Sequence, residues 1–517
     1  MSPKSVRLLA HEESPIDNSD PTGLTAGLDQ KTWARRGLSI ILCICIGFAS
    51  TLQISLPLSF ACLLAAFILL CIVAAQSRQS RIVALTFVGM LFLFLVGNAI
   101  NVFSWQTSNN VNNYLATLFG VASIAQILAV YRILTYCSLG LTLGLALAPQ
   151  RFFLNHNAAR VDKNYPVART RIPVPLYAAF VVALLCNIAS TWEVGRFVSQ
   201  QGYAAYYTSF SSNLPRIVRY CGIALNLVYF TILAIVRRGR ALVVPTALYL
   251  AAAALTLMTG RRNSFMVPLV IVLVYFFHQT FARPGSVPRG LVRRVVVILV
   301  LVGVPLMVFM QVLFNLRTNS TTAGLNPADF LTDQGGSIVT VGYVVLLGNG
   351  LPDKPYAFGS ILLQLQGYVC RWGICSPPIT GQTAEAALLS PRLSDTLTYA
   401  INPDAYLAGY GYGTSFVGEL FAEFGLAGVL IGSIFYGLLI TATARWLSSE
   451  SVILTIVALL VLNNLLFSPR SGFSDFLLGI LSTQNLVWLA CVWLVLRWQS
   501  QRRIRRVKPQ LLHGGIE

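Results

Sequence analysis

The sequence predicts an all-α polytopic membrane protein of about twelve transmembrane helices, with one large loop of short helices on its outer side. Three observations carry this expectation. Hydrophobic residues make up 56% of the 517-residue chain and charged residues 11%, against about 45–50% and about 25% in ordinary globular proteins. The mean hydropathy is +0.69. Apolar runs of about 20 residues, enough to span a bilayer as a helix, recur along most of the chain. Such a chain cannot cover its surface with charge in water. A soluble enzyme, a disordered protein and a secreted disulfide scaffold are therefore excluded.

The runs place helices near residues 37–54, 57–75, 82–103, 115–148, 173–192, 218–236, 241–259, 266–281, 295–315, 422–444, 451–468 and 475–496. The fourth is overlong and reads as one tilted or extended helix, with a re-entrant turn near Tyr131 to Leu134 as the alternative. The close pairs 37–54/57–75 and 241–259/266–281 read as helical hairpins. Residues 1–36 are polar and lack the charged, apolar and small-residue regions of a secretory signal peptide. The expected organisation is a cytoplasmic tail over 1–36, helices one to nine over 37–315, an outer loop over 316–421, helices ten to twelve over 422–496, and a basic cytoplasmic tail over 497–517.

Charge sets the orientation, because Lys and Arg near helix ends stay in the cytoplasm. With the N-terminus inside, inner segments hold 26 of the 37 Lys and Arg and outer segments hold 10, while Arg132 lies within a span. Acidic residues divide as 8 inside and 10 outside. The net charge of +19 thus lies almost wholly on one face. The clusters Arg237-Arg238-Gly239-Arg240, Arg293-Arg294 and Arg502-Arg503-Ile504-Arg505-Arg506 read as topology determinants facing anionic lipid, not as a nucleic-acid surface.

Cys43, Cys45, Cys62, Cys71, Cys137, Cys186 and Cys491 fall within spans, where cysteine behaves as a small apolar residue. Cys221 lies near the outer end of another span. Cys370 and Cys375 stand together in the outer segment CRWGIC, placed to form a small disulfide in an oxidising compartment. The outer loop alternates amphipathic pieces with Gly/Pro turns, the pattern of short helices lying on a membrane surface. A second outer loop, 193–217, carries QQGYAAYYTSF, whose tyrosines suit an interfacial belt.

Arginines kept on the outer side need a reason other than topology. Arg261 and Arg262 sit at the tip of TGRRNSF, Arg470 lies in the tight turn SPRSGFSD, Arg317 follows the ninth span, and Arg216 and Arg219 precede the sixth. They either snorkel to lipid phosphates and pair with outer carboxylates, or form a site for phosphate oxygens, which planar guanidinium forks suit. Two short hairpins both bearing Arg favour the second reading, since so short a turn needs no charge.

The strongest local pattern is GYGYGTSFVGELFAEFGLAGVLIGSIFYGLL, residues 409–439. Gly409, Gly411 and Gly413 permit close backbone approach, and Thr414 or Ser415 can cap the helix that follows. Glu419 and Glu423 share one face, and Gly425, Gly428, Gly432 and Gly437 offer packing surfaces. A capped helix accounts for the glycines. Two carboxylates at the mouth of an apolar helix are costly without partners, and an arginine from a neighbouring hairpin is the expected one.

FLTDQGGSIVTVGYVV, NGLPDKPYAFGSI and GYGTSFVGELFAEFGLAGVLIG, in that order, resemble consecutive signatures of the O-antigen polysaccharide polymerase (Wzy-type) family, and TGRRNSF resembles its Arg-bearing hairpin. The likeness is best over residues 255–445. It implies an inner-membrane glycosyltransferase resembling the metal-independent GT-C class, with both termini cytoplasmic and its site facing the periplasm. Such enzymes join undecaprenyl-pyrophosphate-linked oligosaccharide repeat units into a surface polysaccharide, alongside a separate copolymerase that sets chain length. That chemistry asks for cations on the developing pyrophosphate charge and a carboxylate to take or orient the acceptor hydroxyl. Arg261, Arg262 and Arg470 suit the first role, with Arg317 in reserve. Glu419 is the first choice for the second and Asp333 the next, each with a structural ion pair as its alternative role. No outer DxD pair or acidic cluster points to a metal, and no cofactor is expected. An O-antigen ligase is the related alternative, but that resemblance asks for a histidine in the large outer loop, whereas His11, His156, His278 and His513 fall on the predicted cytoplasmic side. A flippase or transporter is the non-enzymatic alternative; it asks for repeats and midplane charges, and only Arg132 is a deep candidate.

Overall fold

Polar residues start the apolar helices by capping their free backbone amides. Ser55 accepts from the Leu58 amide, Ser123 and Gln126 form a reciprocal capping box, and Ser451 accepts from the Leu454 amide. A computed structural model of the chain describes residues 22–100 apart from 53, 54 and 78; 123–148; 171–281 apart from 204 and 238; 305, 308, 309 and 312; and 334–512 apart from 377 and 380. Among these residues the regular structure is entirely helical.

In chain order the elements are α1 (Thr22–Thr51), α2 (Leu56–Gln76), α3 (Arg81–Leu91), α4 (Ile124–Leu147), α5 (Val174–Gln201), α6 (Arg216–Ile223), α7 (Leu225–Val236), α8 (Val243–Leu255) and α9 (Asn263–Phe281). Then follow α10 (Ser337–Leu347), α11 (Gly359–Cys370), α12 (Ala384–Leu389), α13 (Leu393–Ile401), α14 (Pro403–Leu407), α15 (Phe416–Ser448), α16 (Val452–Leu465), α17 (Asp475–Leu481) and α18 (Thr483–Leu512).

Ten helical segments among the described residues are long and apolar enough to cross a membrane, and eleven when α17 and α18, bent by 54° at Ser482, count as one. The expected ninth span, 295–315, lies almost entirely outside the described residues. The fourth helix starts at Ile124 and runs unbroken through Tyr131 to Leu134, so no re-entrant turn occurs there. Helix α1 begins at Thr22 and α18 continues to Leu512, so parts of both expected tails prolong the adjoining helices.

The bundle's tightest seam joins α4 to α15, and it is made of absent side chains. A Cβ on Gly140 would stand 2.6 Å from the Leu430 carbonyl oxygen, and one on Gly437 would stand 2.7 Å from that of Leu141 and 2.8 Å from Gly144 Cα. Small residues four apart let two helix backbones touch in an apolar medium. Gly437 plays the packing part expected of it; Gly425, Gly428 and Gly432 do something different, described below.

The large loop departs from a set of surface helices in one respect. Helix α10 is buried along most of its length and packs on α4 and α15, so the loop sends an apolar segment back into the bundle. Helix α11 lies outside and exposes Leu362, Leu365 and Val369 along one stripe, followed by the exposed Trp372 and Ile374 in the loop closed by the Cys370–Cys375 bond. Lys354 ties the intervening chain together, donating from Nζ at 3.1 Å to the Ala387 and Ser390 carbonyls and to the Thr396 hydroxyl. Burial pushes the Lys354 ammonium down and the nearby Asp395 carboxyl up from their usual ranges.

Replacing Gly144 with Leu should force α4 from α15 and cost roughly 3 kcal/mol or more, seen as loss of monodisperse protein and a lower melting midpoint in detergent. Gly89→Leu, with nothing within 4 Å of its added Cβ, should melt like the parent.

Candidate active site

Helix α15 is broken at Gly425, whose φ of 63° belongs to the left-handed region that glycine adopts without strain. The segment before the break folds back along the segment after it. A Cβ on Gly432 would collide with the Leu420 side chain, and one on Gly428 would lie 2.9 Å from the Leu420 carbonyl oxygen. Gly428 and Gly432 therefore make room for this fold-back. Glu419 thus sits on a short half-helix doubled back on the rest of α15 instead of at the mouth of a straight one.

Glu419 is 4% exposed. Its Oε1 accepts from the Thr414 hydroxyl at 3.1 Å and its Oε2 from the Phe473 amide at 2.7 Å. The expected guanidinium partner is replaced by these two neutral donors. The reason is geometric: the arginine-bearing turn approaches Glu419 with its backbone. Tyr436, on the other half of α15, donates from its hydroxyl to the Phe473 carbonyl at 2.6 Å. Both polar groups of one residue of the turn are thus held by side chains of the broken helix. Glu423 does not act with Glu419; it accepts from the Ala357 amide at 2.8 Å and fastens the large loop.

A second carboxylate stands beside the first. Asp475 Oδ2 accepts from the Gly472 amide at 2.8 Å. A Cβ on Gly472 would lie 3.1 Å from Asp475 Oδ1 and 3.1 Å from both oxygens of Glu419. The two carboxylates therefore face each other across a residue that has no side chain.

The arginines divide. Arg470 donates from Nη1 toward the Gln334 carbonyl at 3.5 Å and stands 5.9 Å from the Phe94 ring centroid. Arg262 shares a small cavity with Gln334, Phe94 and Phe467. Arginines from two separate turns thus border the same pair of residues. Phe94 reaches them from a π-helical turn, Phe92–Val96, that follows α3, a backbone irregularity frequent at functional sites. Arg261 turns another way and lies 4.3 Å from the centroid of Tyr206, in the tyrosine-bearing loop. Arg317 and Asp333 lie outside the described residues, although Asp333 immediately precedes Gln334. Arg132 donates to the Thr51 carbonyl at 3.1 Å, closing the end of α1, so it is not a charge at the midplane. His278, the one histidine of the described residues, pairs with Ser448 at 2.8 Å, far along the chain from the large loop.

Next to the Arg262 cavity lies a larger one of about 490 Å³, and both are lined by Asn263, Val267 and Phe467. Its walls include Asn187, Asn226, Asn463, Asn464, Ser471 and Asp475. Sequence reasoning passed over these asparagines, as it did Gln334, Asp475 and Tyr436. The readable signal was the doublet Asn463-Asn464 inside the apolar run VILTIVALLVLNNLLF, since amides within a span ask for partners or a cavity.

Fold and site together define a polytopic helical membrane protein with an arginine-bearing polar site at one end of its bundle. A family model for the O-antigen polysaccharide polymerase Wzy matches residues 37–503, and the chain belongs to that family. It is thereby a multi-pass membrane polymerase of the glycosyltransferase type, which assembles O-antigen from lipid-linked oligosaccharide repeat units. No curated protein and no solved structure matches it.

Replacing Gly472 with Ala should press a methyl group between the two carboxylates and destabilise the protein by roughly 1–3 kcal/mol, measured by thermal unfolding in detergent. Gly411→Ala, whose new carbon would lie 3.7 Å from Gln382 Nε2, should change little.

Proposed function

We propose that the chain polymerises undecaprenyl-pyrophosphate-linked repeat units at the periplasmic face of the inner membrane, by glycosyl transfer in which guanidinium groups, not a metal ion, meet the developing charge. The observation that carries this reading is the convergence of Arg262 and Arg470 on Gln334 and Phe94, from two turns that have no topological need of cations. Half-buried Arg forks suit pyrophosphate oxygens, and in a site of low dielectric they stabilise charge better than in water.

In the proposed reaction the oxygen of an acceptor-sugar hydroxyl attacks the anomeric carbon of the donor sugar. The bond from that carbon to the pyrophosphate oxygen breaks, and its electron pair leaves on the pyrophosphate. Arg262 and Arg470 hold that leaving group. The hydroxyl proton passes to a carboxylate, for which Glu419 is the first choice. The products are a glycan longer by one repeat unit and undecaprenyl pyrophosphate. Arg261, set on Tyr206, keeps the tyrosine-bearing loop over the same hairpin. Arg317 and Asp333 remain reserve members of the site, and a copolymerase that sets chain length is the expected protein partner.

Arg262→Ala and Arg470→Ala should each lower polymer formation about a hundredfold while the chain still inserts, judged by the polysaccharide ladder collapsing to single-repeat glycolipid. Glu419→Gln keeps an acceptor for the Phe473 amide and should slow turnover by about a hundredfold or more; an unchanged rate would leave Glu419 a purely structural part. Cysteines placed at 262 and 470 should react with a membrane-impermeant thiol reagent from the periplasmic side, and labelling only after the inner membrane is breached would reverse the orientation.

A further inference from the structure

The larger cavity is lined by five asparagines drawn from separate parts of the chain, four of them in otherwise apolar helices. Each primary amide offers two donor hydrogens and an acceptor oxygen, and the protein uses only some of them. Asn187 donates to the Gly222 carbonyl at 3.2 Å, Asn226 accepts from the Tyr249 hydroxyl at 2.9 Å, Asn463 donates to Asn464 Oδ1 at 3.0 Å, and Asn464 donates to the Asp475 carbonyl at 2.9 Å. What remains around the cavity is a mixture of neutral donors and acceptors. Ser471 and Asp475 complete the same wall.

A ligand for such a wall must both donate and accept hydrogen bonds at many points and carry little charge. Hydroxyl groups have that character; phosphate only accepts and a cation only donates. The volume of about 490 Å³ lies within the range of small-molecule sites. The cavity also adjoins the one that Arg262 lines, sharing Asn263, Val267 and Phe467 with it. A diphosphate held by Arg262 and Arg470 would therefore carry its first sugar toward the asparagines.

We propose that this asparagine-walled cavity is a sugar subsite, which binds the hydroxyl-bearing rings of the lipid-linked unit, with Ser471 and Asp475 completing its wall. The inference rests on the reading of Arg262 and Arg470 as the diphosphate site and adds the group that distinguishes a glycosylated lipid from a bare one.

The test uses the full chain in lipid nanodiscs and three probes: bare undecaprenyl pyrophosphate, the same lipid carrying one repeat unit from cells lacking this chain, and the free oligosaccharide released from it. The parent protein should hold the glycosylated lipid at least tenfold more tightly than the bare lipid. Asn463→Leu, and Asp475→Asn, which keeps an acceptor for the Gly472 amide, should each shrink that gap below threefold and leave bare-lipid affinity unchanged. A full gap in both variants overturns the subsite. So does an equal loss for both lipids, which marks general damage to the site. Arg262→Ala separates the two readings: unchanged bare-lipid binding refutes the diphosphate assignment alone. The free oligosaccharide then judges the cavity by itself, because its binding should be lost in Asn463→Leu and persist in Arg262→Ala; persistence in both sinks the subsite.

Discussion

The backbone of Phe473 is gripped on both sides by one broken helix. Its amide donates to Glu419, before the break at Gly425, and its carbonyl accepts from Tyr436, after it. Neither contact exists without the break, because a straight helix would carry Glu419 and Tyr436 more than four turns apart. Gly425 supplies the left-handed turn, Gly428 and Gly432 supply the space, and the glycine seam with α4 fixes the second half of the helix in the bundle. The turn from Ser468 to Asp475 is thereby placed by hydrogen bonds to its backbone, and Ser471 and Asp475 from it line the larger cavity.

That placement sets Arg470 against Gln334 and Phe94, the residues that line a cavity with Arg262. Like charges repel, so on the proposed reading the approach of the two arginines has an electrostatic cost that rises as the medium becomes less polar. On that reading the two guanidiniums would meet an anion without further rearrangement, the physical basis of electrostatic preorganisation. The Glu419–Asp475 pair accepts the Gly472 and Phe473 amides of the turn. It also explains why position 472 has no room for a side chain.

The sequence made the class of fold readable because hydrophobic runs of spanning length depend on composition alone. It also singled out Glu419, Arg262 and Arg470, since each breaks a rule: a carboxylate in an apolar helix, and basic residues on the wrong side. What it did not show was set by tertiary geometry. The glycines of α15 fit both a packing face and a fold-back, and the pattern cannot tell these apart. The expected partner of Glu419 was an arginine side chain, whereas the same turn offers its backbone amide. Arg261 and Arg262 are neighbours in sequence, yet Arg261 lies over Tyr206 and Arg262 lines the cavity that Gln334 borders, a divergence that depends on the local turn. The asparagines are scattered over the chain and become a group only when the helices assemble.

The decisive measurement is a double-mutant cycle between Tyr436 and Arg470, read as affinity of the reconstituted protein for undecaprenyl pyrophosphate. If Tyr436 matters because it holds the turn that presents Arg470, Tyr436→Phe should weaken binding in the parent and have almost no effect once Arg470 is already Ala. Losses that simply add in the double variant would show that the two residues act independently, and would contradict the view that the gripped turn organises the site.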